Sequence, residues 1–141
     1  MKLPVCLESL KPLYLFVCVE NSCRSQIAEG LFKALTDKAV SESAGTLAAG
    51  TINPMAIEVM ADRGVDISSQ KSKKLTPELV RKAYRVVTMG CIDSCPYTPH
   101  EKTIKWNIPD PKGKRKAFFV KVRDEIEAQL RQLLERENLL N

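Results

Sequence analysis

Five residues separate Cys18 from Arg24 in the string Cys18-Val19-Glu20-Asn21-Ser22-Cys23-Arg24-Ser25. A thiol and a guanidinium at that separation suit nucleophilic attack on a tetrahedral oxyanion. If the string curls between a strand and a helix, its backbone N–H groups surround an anion at the positive end of the helix. A thiol placed at such an end ionises more readily, and the thiolate is the nucleophile. Arg24 offers a planar fork that grips two oxygens at once, which a lysine does not reproduce. Asn21 can hold the loop through side-chain hydrogen bonds to its own backbone. The Ser25 hydroxyl is placed to reach the Cys18 sulfur. A bare Cys-x5-Arg also arises by chance, with Cys18 a packed strand-end thiol and Arg24 a surface residue, so the setting decides. No Gly-x4-Gly-Lys-Ser/Thr string occurs, which excludes a Walker-type nucleotide loop.

Two further groups carry chemistry. Asp110 stands in Ile108-Pro109-Asp110-Pro111, where two prolines make a stiff, extended loop able to aim one carboxyl. Cys91 and Cys95 stand in Gly90-Cys91-Ile92-Asp93-Ser94-Cys95-Pro96. Their spacing suits a disulfide after modest adjustment. A zinc pair or two inert core thiols are the alternatives. Zinc would need two more ligands, and His100 is the only histidine, so no metal site is expected.

These residues need a scaffold, and the pattern around them alternates strand with helix. Leu13–Cys18 is an apolar run of strand formers, followed by a polar turn at Glu20–Ser22. Arg24–Asp37 carries Ile27, Leu31, Ala34 and Leu35 at helical spacing. Val40–Ala44 reads as a second strand ending at Gly45. Asn53-Pro54 caps a helix running to about Arg63, which Gly64 stops. Val65–Ile67 reads as extended, and Thr76-Pro77-Glu78 opens a short helix. Tyr84–Met89 is a third strand and Lys102–Trp106 a weaker fourth. Lys116–Leu134 is the longest helix, with Phe119, Val122, Ile126, Leu130 and Leu133 on one stripe.

Strands separated by helices pair in parallel through crossovers. The expected fold is α/β, an open sheet of about four parallel strands with helices on both faces and the anion loop after the first strand. Ligands of such sheets bind beyond the carboxyl ends of the strands. The first strand ends at Cys18, the third just before Cys91 and the fourth just before Asp110, so all three fall at one sheet edge.

The bulk properties set limits. With 141 residues, 44% hydrophobic and 28% charged, the chain suits one compact domain. Its mean hydropathy is −0.19, and no apolar run approaches the roughly 20 residues of a membrane span. Met1–Pro12 contains Glu8 and lacks a small-residue cleavage site, so no signal peptide is read there and a cytoplasmic protein is expected. The net charge of +5 suits a solvated surface or the attraction of a small anion. Without zinc-finger spacing or aromatic residues among the basic ones, no nucleic-acid partner is expected. Basic clusters at Lys71–Lys74 and Lys112–Lys116 flank segments expected near the mouth. The five cysteines, an odd number in a chain long enough to bury its own core, point to working thiols rather than structural bridges.

The string VCVENSCRSQIAEG resembles the phosphate-loop signature of the low-molecular-weight tyrosine phosphatase superfamily. More narrowly, Asn21-Ser22-Cys23-Arg24-Ser25-Gln26 with Ala28-Glu29-Gly30 resembles its arsenate reductase branch. Ser43-Ala44-Gly45, Asn53-Pro54-x-Ala56, Val65-Asp66-Ile67-Ser68, Val86-Val87-Thr88-Met89 and Asp110-Pro111-x-Gly113 agree in order. The resemblance covers about residues 13–137 and leaves 1–12 as an N-terminal extension before a domain at 13–141.

The resemblance implies a general acid at Asp110 and a relay of thiols. Cys18 forms a thiol–arsenate adduct, Cys91 attacks its sulfur and expels arsenite, and Cys95 resolves the bridge into Cys91–Cys95. No tightly bound cofactor is implied, only an external thiol reductant, thioredoxin or a small thiol, acting on a monomer. The compact Cys91–Cys95 spacing resembles actinobacterial and archaeal relatives. Some relatives hold potassium with Thr and Asp where this chain has Lys71-Ser72-Lys73; a lysine ammonium replaces that ion here, or the site is absent. Cys23 is either an oxidative partner for Cys18 or a small packing residue. The alternative activity is a tyrosine phosphatase hydrolysing phosphate monoesters through Cys18, Arg24 and Asp110. Against it, Lys112-Gly113-Lys114 follows Asp-Pro where phosphatases usually carry aromatic residues, and a phosphatase needs no cysteine pair after the third strand.

Overall fold

A computed structural model describes residues 11–90 and 99–141. Four strands, β1 (Leu13–Cys18), β2 (Val40–Gly45), β3 (Arg85–Met89) and β4 (Thr103–Trp106), form one sheet in the order β2-β1-β3-β4. Every pairing is parallel, with Cys18 opposite Gly45, Val17 opposite Thr88, and Met89 opposite Trp106. Four helices accompany them: α1 (Arg24–Leu35), α2 (Pro54–Asp62), α3 (Pro77–Lys82) and α4 (Lys116–Arg136).

The central strand β1 is buried at all six positions, as a parallel strand covered on both faces must be. Its alternation splits the core in two. Tyr14, Phe16 and Cys18 join Val87 and Met89 under α1, α2 and α4, with Ile27, Leu31, Phe32, Phe119, Ile126 and Leu130 fully or almost fully buried between them. Each such side chain contributes about 2 kcal/mol relative to exposure. Leu15, Val17, Ala44 and Val86 face the other way and pack on Val80 and Ala83 at α3. Helices therefore cover both faces, three against one. The stripe expected on the last helix is buried at all five positions, joined by Leu134.

Several element bounds differ from the sequence reading. The helix expected to reach Asp37 ends at Leu35, because Thr36 turns extended while its N–H still reaches Phe32 O. Val65–Ile67 pairs with no strand among the described residues; it is a connector that buries Ile67 against the core beside α2. The fourth strand begins at Thr103 rather than Lys102, because Lys102 closes a 3-10 turn over His100–Lys102. The Lys102 ammonium donates to Val80 O (2.6 Å) and Ala83 O (2.8 Å), placing a cation on the carbonyl end of α3. Caps behave as their residues suggest: Asn53 accepts from Met55 N and Thr76 from Leu79 N, with proline following each. No described helix is long and apolar enough to cross a membrane.

Candidate active site

Cys18 is the last residue of β1 and Arg24 the first of α1, so the loop between them is bounded by the two most deeply buried elements of the fold. The segment after β2 fixes its shape. Thr46 N donates to Cys18 O (3.2 Å), Leu47 N to Val19 O (2.8 Å), Ala49 N to Glu20 O (2.8 Å) and Asn53 N to Ser22 O (3.1 Å). Gln26 Nε2 donates to Asn21 O (3.1 Å). The loop carbonyls are thus tied outward. A trans peptide carries its N–H opposite its C=O, which turns the N–H groups of Glu20 through Cys23 into the loop. The first turn of α1 has no acidic residue and no side-chain cap. Its N–H groups and positive end remain for an anion.

Gly45 allows this close approach: a Cβ there would lie 2.5 Å from Val19 O and 2.8 Å from Asn21 N. Asn21 takes the left-handed conformation (φ 51°), which asparagine tolerates better than most residues.

Asn21 does not bond its own backbone as expected. Its Oδ1 accepts from Lys73 N (2.8 Å), a donor-only group, so the amide orientation is determined and Nδ2 faces Ser25 Oγ at 2.7 Å. Ser25 Oγ, accepting from Asn21, also shares a hydrogen bond with Cys18 Sγ, 2.9 Å away, in which the hydroxyl is the donor whenever the sulfur is a thiolate. Gln26 and Gln70 brace the arrangement from outside: Gln26 Nε2 also donates to Lys71 O (2.9 Å) and Gln70 Nε2 to Gln26 Oε1 (2.8 Å).

Arg24 is buried, and its Nη1 donates to Ile108 O at 3.1 Å. Its Nη2 lies 3.8 Å from Asp110 Oδ2. Asp110 is half exposed on the loop after β4, where its Oδ1 accepts from Lys112 N (3.0 Å). Cys18, Ser22, Cys23 and Arg24 line one small cavity with Asp110; Glu20 and Lys112 complete its mouth. The Lys112 ammonium meets both oxygens of Glu20 (2.7 and 3.0 Å), which holds its pKa above the ordinary lysine value. The Cys23 thiol is pushed up to about 12 by burial and by the charges of Asp110 and Cys18, so it stays protonated at neutral pH.

The fold thus brings Cys18, Arg24, Ser25 and Asp110 together. Cys91 and Cys95 lie outside the described residues. Gly90 escaped the sequence reading: its φ is +81°, and a Cβ on it would lie 2.3 Å from Arg24 Nη1. Only its place directly after β3 hints at this role. Of the two basic clusters, Lys112 reaches the mouth, whereas Lys116 pairs with Glu58 and Asp62, and Lys73 with Glu42.

The Lys71–Lys73 segment, where some relatives hold potassium, docks on the anion loop through its backbone, with Lys73 N on Asn21 Oδ1 and Lys71 O on Gln26 Nε2. Glu29 Oε1 accepts from Ser43 Oγ (2.6 Å), Glu29 Oε2 from Lys33 Nζ (2.7 Å), and Asn21 Oδ1 from Lys73 N. The ammonium at Glu29 is that of Lys33, one turn along α1, while the Lys73 ammonium pairs with Glu42. Among the described residues no cluster of three or more His, Cys, Asp or Glu could hold a metal.

Residues 14–140 match the family described as low molecular weight phosphotyrosine protein phosphatase. The chain belongs to that family. An arsenate reductase of Brevibacillus brevis is 38% identical over 132 residues, covering 92% of this chain and 98% of the relative. Vibrio vulnificus Wzb in complex with benzylphosphonate superimposes with a TM-score of 0.83 at 27% identity, over 89% of this chain and 99% of that one. A thioredoxin-dependent arsenate reductase of Corynebacterium glutamicum is 35% identical with a TM-score of 0.77, over 89% of this chain and 61% of that one.

Proposed function

We propose that this chain reduces arsenate to arsenite. The observation that carries the reading is a shaped anion loop with Cys18 Sγ at its base, 2.9 Å from the Ser25 hydroxyl, under a buried Arg24. It sits in a chain 38% identical to an arsenate reductase over nearly that relative's full length. The loop N–H groups and the Arg24 guanidinium take the oxygens of arsenate while Cys18 thiolate attacks arsenic. Asp110 protonates the departing oxygen, which leaves as water. The Cys91 thiolate then attacks the Cys18 sulfur. The S–As bond breaks, its electron pair stays on arsenic, and arsenite departs as As(III). Cys95 attacks Cys91 in turn, freeing Cys18 and leaving a Cys91–Cys95 disulfide for an external dithiol to reduce. Thioredoxin is the reductant favoured by the Corynebacterium relative's name, with a small thiol as the other candidate. The relay rests on sequence position, and the working unit is taken as a monomer in the cytoplasm.

A second reading, hydrolysis of phosphate monoesters, is favoured by the benzylphosphonate complex of a structural relative. It uses the same loop and acid, with water replacing Cys91. The deciding experiment follows arsenate-dependent NADPH consumption with thioredoxin and thioredoxin reductase, and in parallel with glutathione- and mycothiol-type systems. Turnover in one of them is expected. Absence of turnover in all, with rapid aryl-phosphate hydrolysis, would move the protein to the phosphatases.

A further inference from the structure

We propose that Lys112 is a second cationic grip for the oxyanion, held by Glu20 in the free protein and passed to the anion when it enters. The inference rests on the anion-loop reading of Cys18. Glu20 belongs to the loop after β1 and Lys112 to the loop after β4, and their ion pair spans the mouth between them at 2.7 Å. Both backbones are anchored: Glu20 O accepts from Ala49 N, and Lys112 N donates to Asp110 Oδ1. Only the two side chains are left to move.

Around the cavity the charges alternate: Glu20, Lys112, Asp110, Arg24. Arg24 is buried and fixed by Ile108 O. The Lys112 and Glu20 side chains are 58% and 36% exposed, so water screens their attraction and the pair exchanges readily. An incoming dianion repels the Glu20 carboxylate and offers Lys112 an acceptor of higher charge. Glu20 therefore acts as a resident competitor. The arrangement favours a small inorganic oxyanion, which has an oxygen to spare for Lys112 after the loop N–H groups and Arg24 are satisfied.

The test uses the full chain and inorganic phosphate as the probe. Phosphate protection of Cys18 against iodoacetamide is read by mass spectrometry of the Cys18 peptide, in the parent, Lys112→Ala, Glu20→Gln and the double variant. Lys112→Ala is expected to raise the half-protecting concentration about fivefold, and Glu20→Gln to lower it about threefold. In the double variant the Glu20→Gln gain should vanish, leaving the Lys112→Ala value. An equal Glu20→Gln gain in both backgrounds would reduce Glu20 to a general charge and overturn the latch, as would an unaltered Lys112→Ala protein. Failure of phosphate to protect the parent would instead bring down the anion-loop reading, and the latch with it. Melting curves of the four proteins should superimpose, since both side chains are solvent-facing.

Discussion

Ser25 Oγ sits 2.9 Å from Cys18 Sγ and 2.7 Å from Asn21 Nδ2, so one hydroxyl accepts from an amide and shares a hydrogen bond with the sulfur. The direction of the amide bond follows from Lys73 N, which can only donate and so holds Asn21 Oδ1, and a thiolate, having no proton, can only accept from the hydroxyl. A hydrogen bond to an ionised group contributes about 1.5–3 kcal/mol.

Ser25→Ala should therefore lower kcat/KM for arsenate by about 10- to 100-fold. It should also slow iodoacetamide modification of Cys18 at pH 7 with little change in fold. Parent-like alkylation in the variant would remove Ser25 from the site's chemistry.

Gly90→Ala should displace the Arg24 guanidinium while leaving the backbone of the anion loop in place. The added Cβ would lie 2.3 Å from Arg24 Nη1, and the φ of +81° strains any other residue. A stability loss of about 1–3 kcal/mol is expected, read by urea unfolding. Activity should fall by more than the folded fraction does. A fully active Gly90→Ala protein would mean that Arg24 has room to shift.

Glu127 predicts an acid limb of stability. Hydrogen bonds from Arg63 (2.8 Å to each oxygen) and Arg131 hold its pKa down at about 2. A carboxyl depressed on folding stabilises the native state above its unfolded pKa of about 4.3, and that contribution disappears as pH falls through the folded value. After discounting for the partly exposed arginines, Glu127→Gln should cost about 1–2 kcal/mol at pH 7. It should flatten the loss between about pH 4.5 and 2, measured by urea midpoints across that range. The lost bonds pin α4 to Arg63 at the end of α2, so this effect should leave Cys18 reactivity unchanged.

The relay makes a separate forecast. Cys18→Ser should abolish turnover with every oxyanion, whereas Cys91→Ser and Cys95→Ser should abolish arsenate turnover and spare slow aryl-phosphate hydrolysis. Full arsenate turnover by Cys91→Ser with a regenerating thiol system would eliminate that cysteine as the attacker.

Much of the scaffold is legible along the chain because its determinants are short-range. The apolar run Leu13–Cys18, the Asn53-Pro54 cap and the stripe from Phe119 to Leu133 each act within a few turns or one strand. Val65–Ile67 misleads because a short apolar segment beside a glycine suits either a strand or a buried connector, and packing of Ile67 beside α2 decides. Asn21 misleads because its local hydrogen-bond options are outbid by a backbone N–H 52 residues away.

The sequence alone determined where the Cys18 thiol stands, the guanidinium six residues later, the strand and helix that bracket them, and the family. Those depend on residue type and local periodicity, which need no partner from elsewhere in the chain. Tertiary structure alone decided how these groups are held. Ile108 O meets Arg24 across 84 positions, Lys112 meets Glu20 across 92, and Gly90 leaves the space that the guanidinium fills. The parallel sheet brings the ends of β1, β3 and β4 to one edge, and that is where these residues, so far apart in the chain, share a hydrogen bond or a charge.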